Sequence, residues 1–222
     1  MPANIQRLND CFVAMKASYS ANPTKAVRGQ GFIHLLHSFC VTELENVGFE
    51  RRYIREEVDV FGSHKAKKVD IAYIDPVNGP MIIIGVRSQM SSISKNILTY
   101  YEEIIGDCIS LHDRFPMAVV NYVYLLPENP IKKGYREEPV NLARAEKLYS
   151  LITNRGDWRS TKDKYEHFAF LKVRFSSDPP LLLDTREDLS IHSFFDKIRT
   201  TFLERNYFLE LQNRAGAEEA DT

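Results

Sequence analysis

The sequence predicts an α/β protein of the mixed α+β kind, in which one mixed β-sheet is flanked by helices. Helical and strand-like segments follow one another in the order αβββαβ. The three consecutive strands have short polar links, which favour an antiparallel meander, and a long helical segment before the fourth strand favours a parallel crossover. A helix, a strand and a helix come after this core, so we expect a C-terminal αβα extension.

The two N-terminal helices are predicted from the spacing of apolar residues. An opening helix is expected over residues 5–19, and the Pro- and Gly-containing segment ANPTKAVRGQG ends it. Between Phe32 and Val47, apolar residues recur at steps of three and four, which is typical of an amphipathic helix. Gly48 then marks the end of that helix.

The strand predictions rest on composition and on turn-forming residues. The segments RYIREEVDVFG, KKVDIAYID and PMIIIGVRS are expected to form the meander, with Pro76, Asn78 and Gly79 between the last two. A helix is expected from Ile93 to about residue 112. The run MAVVNYVYLLP is almost continuously apolar, which indicates a strand buried on both faces. The extension should then hold a helix over residues 141–153, the strand HFAFLKVRF and a last helix over residues 191–211.

The length indicates a single domain, and the balance of charges indicates that the protein has no strong overall electrostatic field. The 222 residues predict one domain over 1–214, with a core over about 30–127, an extension over 128–214 and an acidic disordered tail over 215–222. Lys and Arg number 29 against 30 Asp and Glu, and the tail contributes Glu218, Glu219 and Asp221. Nucleic-acid binding would therefore have to come from local patches.

The class of protein is limited by three features of the sequence: its cysteines, its histidines and its apolar runs. The three cysteines are far apart and form no CxxC pair, which indicates a reduced cytoplasmic protein. His34 and His37 are three residues apart on a predicted helix, yet no further His or Cys pattern supports a zinc site. The longest apolar runs have the length of strands, so no membrane association is expected.

Residues 30–127 resemble the PD-(D/E)XK nuclease superfamily, which includes type II restriction endonucleases and Holliday-junction resolvases. The resemblance is carried by the helical TELENVGF before the basic KAKKVD, by Asp70 early in the second meander strand, and by an apolar third strand that ends in a cation before SQMSSISKN. In that family the second-strand aspartate and a third-strand acid hold Mg²⁺, and a lysine two residues beyond that acid helps to activate water. The resemblance therefore implies an Mg²⁺ (or Mn²⁺) site at Asp70. The alternative is an aspartate at a strand end that only caps a turn or meets solvent.

The third strand departs from the family pattern. Where the family has acid-x-lysine, this chain has Gly85, Val86 and Arg87. Glycine offers no side-chain ligand, and arginine can hold a phosphate but is a poor general base, because it stays charged at any useful pH.

Two compensations for this departure follow from the resemblance. One branch of the family takes a glutamate from the following helix, and the corresponding offset from Arg87 falls just before Glu102 and Glu103. On a helix, Glu102 is expected to border the buried side and Glu103 to point away. Lys95 is the candidate for a migrated lysine. The alternatives are a solvated helix residue for Glu102 and a surface lysine for Lys95.

Two further residues are candidates by the same resemblance. In the family, a glutamate from the early helix often completes the metal site, and Glu43 lies one turn from both Phe39 and Val47. Gln89 matches a glutamine that some members carry just after the lysine strand. A solvated helix edge is the alternative for Glu43.

Two basic stretches are predicted to contact DNA phosphates. Lys67 and Lys68 precede Asp70, and Arg159 and Lys162 follow the only tryptophan, Trp158, in a loop that also holds Arg155 and Lys164. Basic residues interleaved with an aromatic side chain suit backbone contact and stacking. A solvated loop with one packed tryptophan is the alternative for the second stretch.

The leading hypothesis from the sequence is an Mg²⁺-dependent DNA endonuclease of restriction type, acting on double-stranded DNA. A homodimer would follow from this activity, because cutting both strands needs two sites. The alternative is a catalytically inactive member of the family that binds DNA or a protein partner, since loss of the strand acid and lysine is what decay would produce.

Overall fold

A six-stranded mixed sheet forms the centre of the computed structural model, which describes residues 2–21, 31–129 and 140–207. The strands lie side by side in chain order: β1 (Ile54–Phe61), β2 (Ala66–Asp75), β3 (Gly79–Ser88), β4 (Val119–Pro127), β5 (His167–Arg174) and β6 (Leu181–Leu183). Strands β1, β2 and β3 are antiparallel, β3, β4 and β5 are parallel, and β6 is antiparallel to β5. The predicted meander and parallel crossover are confirmed, whereas the short β6 was not predicted.

Five α-helices are present among the described residues: α1 (Ile5–Ala21), α2 (Ile33–Asn46), α3 (Ile93–Arg114), α4 (Leu142–Ser150) and α5 (Phe194–Arg205). The first three agree with the sequence to within about two residues. The predicted start of the last helix, Ile191, lies instead in a 3₁₀ turn that precedes α5. Residues 208–222, which contain the predicted end of that helix and the acidic tail, lie outside the described residues.

The helices cover both faces of the sheet. Apolar residues of α1, α2 and α5 form one core with the sheet, and those of α3 and α4 form a second core on the opposite face. Strand β4 is buried along its whole length, as its apolar run predicts: Val119, Val123 and Leu125 belong to the first core, and Val120 and Tyr124 to the second. Within the described ranges, no helix combines the length and apolarity needed to cross a bilayer.

The candidate site is positioned by a divergence of two neighbouring strands. The β2–β3 ladder runs from the Asp75–Gly79 pair to the Ile71–Ile84 pair and ends there. Beyond that point β2 continues to pair with β1, as far as Ala66, and β3 continues to pair with β4. The two strands therefore separate at their other ends and leave a cleft in the middle of the sheet.

Candidate functional site

A cavity of about 400 Å³ occupies the cleft between the diverging ends of β2 and β3. Strands β2 and β3 and the segment just after β3 contribute most of its polar residues, while α2 and α3 close its sides. The polar lining includes Lys67, Lys68, Asp70, Arg87, Ser88, Gln89, His37, Tyr100 and Asp107. Lys67, Lys68 and Asp70 of β2, which the sequence singled out together with Arg87 and Gln89, thus reach one cavity because β2 and β3 separate there.

Asp70 occupies the point at which the two strands begin to separate. Its Oδ2 accepts a hydrogen bond of 2.6 Å from the backbone N–H of Val86, which has lost its strand partner on that side. His37 Nε2 lies 3.7 Å from Asp70 Oδ1. Burial raises the pKa of Asp70 from 3.8 to about 6, and the nearby Glu57 carboxylate adds to that rise against the lowering effect of the Val86 N–H. A partly desolvated carboxylate in a cleft is a common feature of functional sites.

Arg87 spans the cavity from the sheet to α3. Its guanidinium donates a hydrogen bond of 3.0 Å to Glu103 Oε2 and lies over the ring of Tyr100, 4.6 Å from its centroid. Tyr100, Glu103 and Asp107 are spaced by three and four residues, so they lie on one side of α3. That side faces the cleft, and it presents two acids and an aromatic ring to the sheet.

The two lysines of β2 are also paired with carboxylates. Lys67 Nζ contacts Asp107 Oδ1, and Lys68 Nζ lies 2.9 Å from Glu57 Oε2. Together with Arg87, the region holds three cationic side chains against the carboxylates of Asp70, Glu57, Glu103 and Asp107. The acids outnumber the cations by one, and Asp107, Glu57 and Glu103 are the three that pair with them.

Gln89 and Ser88 complete the polar wall at the end of β3. Gln89 is buried; its Oε1 accepts a hydrogen bond of 2.8 Å from Tyr124, and its Nε2 donates to the carbonyls of Ser91 and Ser92. The amide is thereby held by three bonds and orients the turn into α3. Among the described residues, the buried hydroxyl of Ser88 has no hydrogen-bond partner.

The position of the family's third-strand acid is filled by an aromatic ring. Gly85 pairs with Tyr122 in the β3–β4 register, and a Cβ at Gly85 would lie 2.5 Å from Tyr122 Cε2. Tyr122 is buried and lines the cavity. A carboxylate at residue 85 would therefore need the Tyr122 ring to move.

Three of the predicted catalytic or metal-binding residues are not brought to the cavity. Glu102 and Lys95 are exposed on α3 and do not line it. Glu103, which the sequence expects to point away, is likewise exposed and outside the lining, but its carboxylate accepts a hydrogen bond from Arg87. Glu43 is buried against α1 instead.

The carboxylate of Glu43 is already occupied by hydrogen bonds that join α1 to α2. It accepts from the Asn4 N–H at 2.9 Å, from Arg7 NH1 at 2.9 Å and from Asn46 Nδ2 at 3.1 Å. These bonds assign Glu43 a structural role in this fold.

The second basic stretch lies in the segment before β5 and outside the cavity lining. Arg159 is exposed, pairs with Asp157 and lies over the Trp158 ring at 5.5 Å from its centroid. Lys162 pairs with Asp113 at the end of α3. Each cation has a carboxylate partner that DNA phosphates would have to replace.

One group of residues was not predicted from the sequence. His34 and His37 of α2 lie beside Glu57 of β1, and one ligand atom from each falls within 4.8 Å of the others. The sequence indicated no metal cluster around these histidines because Glu57 is twenty residues further along the chain, on another element. The sequence signal that was available is the pair of histidines at helical spacing.

No protein-family model, curated protein or solved structure matches the chain, so the geometry of the cleft is the direct evidence on its function.

Proposed function

We propose that the protein is a metal-dependent nuclease of the PD-(D/E)XK, restriction-endonuclease-like kind that hydrolyses phosphodiester bonds of double-stranded DNA. One observation carries the proposal. The Asp70 carboxylate lies partly desolvated in a cavity between diverging strands, alongside Arg87, Lys67 and Lys68. Metal-binding oxygen and phosphate-binding cations in one cleft are the groups that phosphodiester hydrolysis requires.

In this proposal Asp70 holds Mg²⁺ or Mn²⁺, which supplies charge neutralisation and an acidified water when bound. Arg87 holds the scissile phosphate, because its planar guanidinium suits bidentate phosphate contact and already projects into the cavity. Lys67 and Lys68 hold neighbouring phosphates. Glu103 orients Arg87 through the hydrogen bond between their side chains. Two copies of the chain would be needed to cut both strands.

The test is cleavage of supercoiled plasmid and genomic DNA by the purified chain with Mg²⁺ or Mn²⁺. We expect Asp70→Asn to lower the cleavage rate by a factor of about 100 or more, because one metal-binding oxygen is lost. Asp59→Asn, on the exposed face of the neighbouring strand, is the matched control and should cleave at the wild-type rate. Retained cleavage in Asp70→Asn would remove Asp70 from the reaction.

Substitutions at Glu102 and Glu103 of α3 distinguish the site seen in the structure from the site expected from the sequence. We expect Glu103→Gln to reduce cleavage, since it removes the charge that pairs with Arg87, and Glu102→Gln to leave cleavage unchanged, since Glu103 rather than Glu102 pairs with Arg87. The opposite order would support Glu102 as the helix-supplied metal ligand.

A second candidate function is a catalytically inactive member of the same family that binds DNA. The Tyr122 ring over Gly85 favours it, because that ring takes the space of the missing acid. Duplex binding by fluorescence anisotropy in the presence of chelator, with no cleavage by the wild type in Mg²⁺ or Mn²⁺, would establish this candidate over the nuclease.

A further inference from the structure

We propose that His34, His37 and Glu57 form a site for a divalent transition-metal ion of the zinc class, adjoining the cavity on the side of α2. The site goes beyond the proposed nuclease activity and would exist in a protein that does not cut DNA. It uses residues of one helix and one strand that the Mg²⁺ proposal does not need.

The ligand atoms are close to the arrangement that a small metal ion requires. His37 Nδ1 lies 3.2 Å from Glu57 Oε1, and all three ligand atoms lie within 4.8 Å of one another. Ligands on a tetrahedral ion with bonds of about 2.0–2.1 Å lie about 3.3 Å apart. The His37–Glu57 pair already has about this separation. His34 is exposed, so its side chain is free to rotate and bring a ring nitrogen to the same distance from the ion.

The facing polar atoms of His37 and Glu57 make no hydrogen bond of good geometry. His37 is 2 % exposed, and its Nδ1 lies 3.2 Å from Oε1 of the half-buried Glu57 without meeting the geometry of a hydrogen bond. Buried polar atoms without partners are rare in native proteins, because they lose hydration without a compensating hydrogen bond. A metal ion bonded to His37 and Glu57 would satisfy two of these atoms at once.

The backbone at Glu57 is in a conformation that its place in a strand does not explain. Its φ of 51° is positive, a region that a non-glycine residue seldom adopts. The β1–β2 register runs through the Glu56–Ile71 and Val58–Val69 pairs, which places Glu57 opposite Asp70 at an interruption of the ladder. Strained backbone concentrates at ligand sites.

The second polar atom of Glu57 and the second ring nitrogen of His37 each lie near a charged side chain. Lys68 Nζ lies 2.9 Å from Glu57 Oε2, and Asp70 Oδ1 lies 3.7 Å from His37 Nε2. Metal-binding histidines commonly direct their second ring nitrogen to a carboxylate, which sets the tautomer and the ring orientation. Asp70 would therefore connect this site to the cavity.

The donor set determines the class of ion. Two imidazoles and one carboxylate suit Zn²⁺ or Co²⁺, whereas Mg²⁺ prefers oxygen ligands and an octahedral shell. Three protein ligands leave a fourth position open, and the exposed side of His34 gives it access to solvent.

The experiment is metal titration of the full chain after removal of any affinity tag and treatment with chelator. We expect calorimetry to show one Zn²⁺ per chain at micromolar or tighter affinity, and Co²⁺ to give the visible absorption bands of a four-coordinate site. A hundredfold excess of Mg²⁺ should not displace either ion. His34→Ala and Glu57→Gln should each weaken Zn²⁺ binding at least tenfold and remove the Co²⁺ bands.

His192→Ala is the matched control, because His192 is an exposed histidine on another part of the fold, and this variant should bind as the wild type does. His34 is exposed, so its replacement tests the site even if a change at the buried His37 prevents folding. Failure of the wild type to take up one equivalent of Zn²⁺, or wild-type affinity in both His34→Ala and Glu57→Gln, would overturn the proposal. Neither readout involves DNA, so failure of the nuclease proposal would be seen separately.

Discussion

Gly85 is a residue whose lack of a side chain is required by packing rather than by backbone conformation. A Cβ there would meet Tyr122 Cε2 at 2.5 Å and Cδ2 at 2.6 Å, and the ring is buried among other aromatic side chains. We expect Gly85→Ala to lower the free energy of unfolding by about 1–3 kcal/mol, since the ring must shift in a close-packed core. Urea denaturation followed by circular dichroism measures this change.

Gly106 is the matched control for this substitution. It lies within α3, and a Cβ added to it would meet nothing within 4 Å. Gly106→Ala should therefore raise the free energy of unfolding by up to about 1 kcal/mol, because alanine favours the helix over glycine. Equal effects at the two glycines would show that the Tyr122 ring does not restrict residue 85.

At the scale of elements, one buried carboxylate joins four separate parts of the chain. Glu166, just before β5, accepts hydrogen bonds from the Val120 N–H at 2.7 Å and from Arg155 NH1 at 2.8 Å. His112 Nε2 of α3 lies 3.1 Å from it, and Arg205 NH2 of α5 lies 2.8 Å from it. The network ties both helix layers and β4 to the start of β5.

We expect the stability of the protein to depend on the ionisation of Glu166. Burial opposes that ionisation, but the hydrogen bond from His112 and the charges of His112 and Arg205 outweigh it and lower the pKa of Glu166 from 4.5 to about 2. A carboxyl with a lowered folded-state pKa stabilises the fold above its unfolded pKa, and this stabilisation is lost as the pH falls from about 4.5 to 2. The shift corresponds to about 3 kcal/mol.

Glu166→Gln tests this dependence by urea denaturation at a series of pH values from 7 to 3. The variant should be less stable than the wild type by about 3 kcal/mol at pH 7, because two buried arginines lose their charged partner. The difference should shrink as the pH falls below 4.5. The exposed Glu187→Gln control should stay within about 0.5 kcal/mol of the wild type throughout, and a constant difference for Glu166→Gln would assign its effect to packing alone.

At the scale of the whole molecule, the four predicted DNA-binding cations lie in two places, the cavity and the segment before β5. If a duplex contacts both, replacing Lys67 and Lys68 by Gln, or Arg159 and Lys162 by Gln, should flatten the plot of log affinity against log salt by about two units each. Anisotropy with a labelled duplex and Ca²⁺ in place of Mg²⁺ measures the slope. Arg199→Gln, exposed on α5, should leave it unchanged, and an unchanged slope in either double variant removes that region from the interface.

The order of the elements, the antiparallel meander, the parallel crossover and the burial of β4 could all be predicted from the sequence. These features depend on local periodicity, turn residues and connection length, and all three can be identified directly in the sequence. A family resemblance and a basic stretch also singled out Asp70, Arg87, Lys67, Lys68 and Gln89, and the divergence of β2 from β3 brings these five residues to one cavity.

The contacts between side chains of different elements could not be predicted from the sequence, because they depend on how the elements pack together. The rotation of α3 on the sheet turned Glu103 rather than Glu102 toward Arg87, and a rotation of about 100° separates two such neighbours on a helix. Strand register set Tyr122 beside Gly85 and Glu57 opposite Asp70. Strand register and helix rotation depend on how whole helix and sheet faces pack. Residues far apart in the sequence therefore become neighbours although no local sequence pattern predicts the contact.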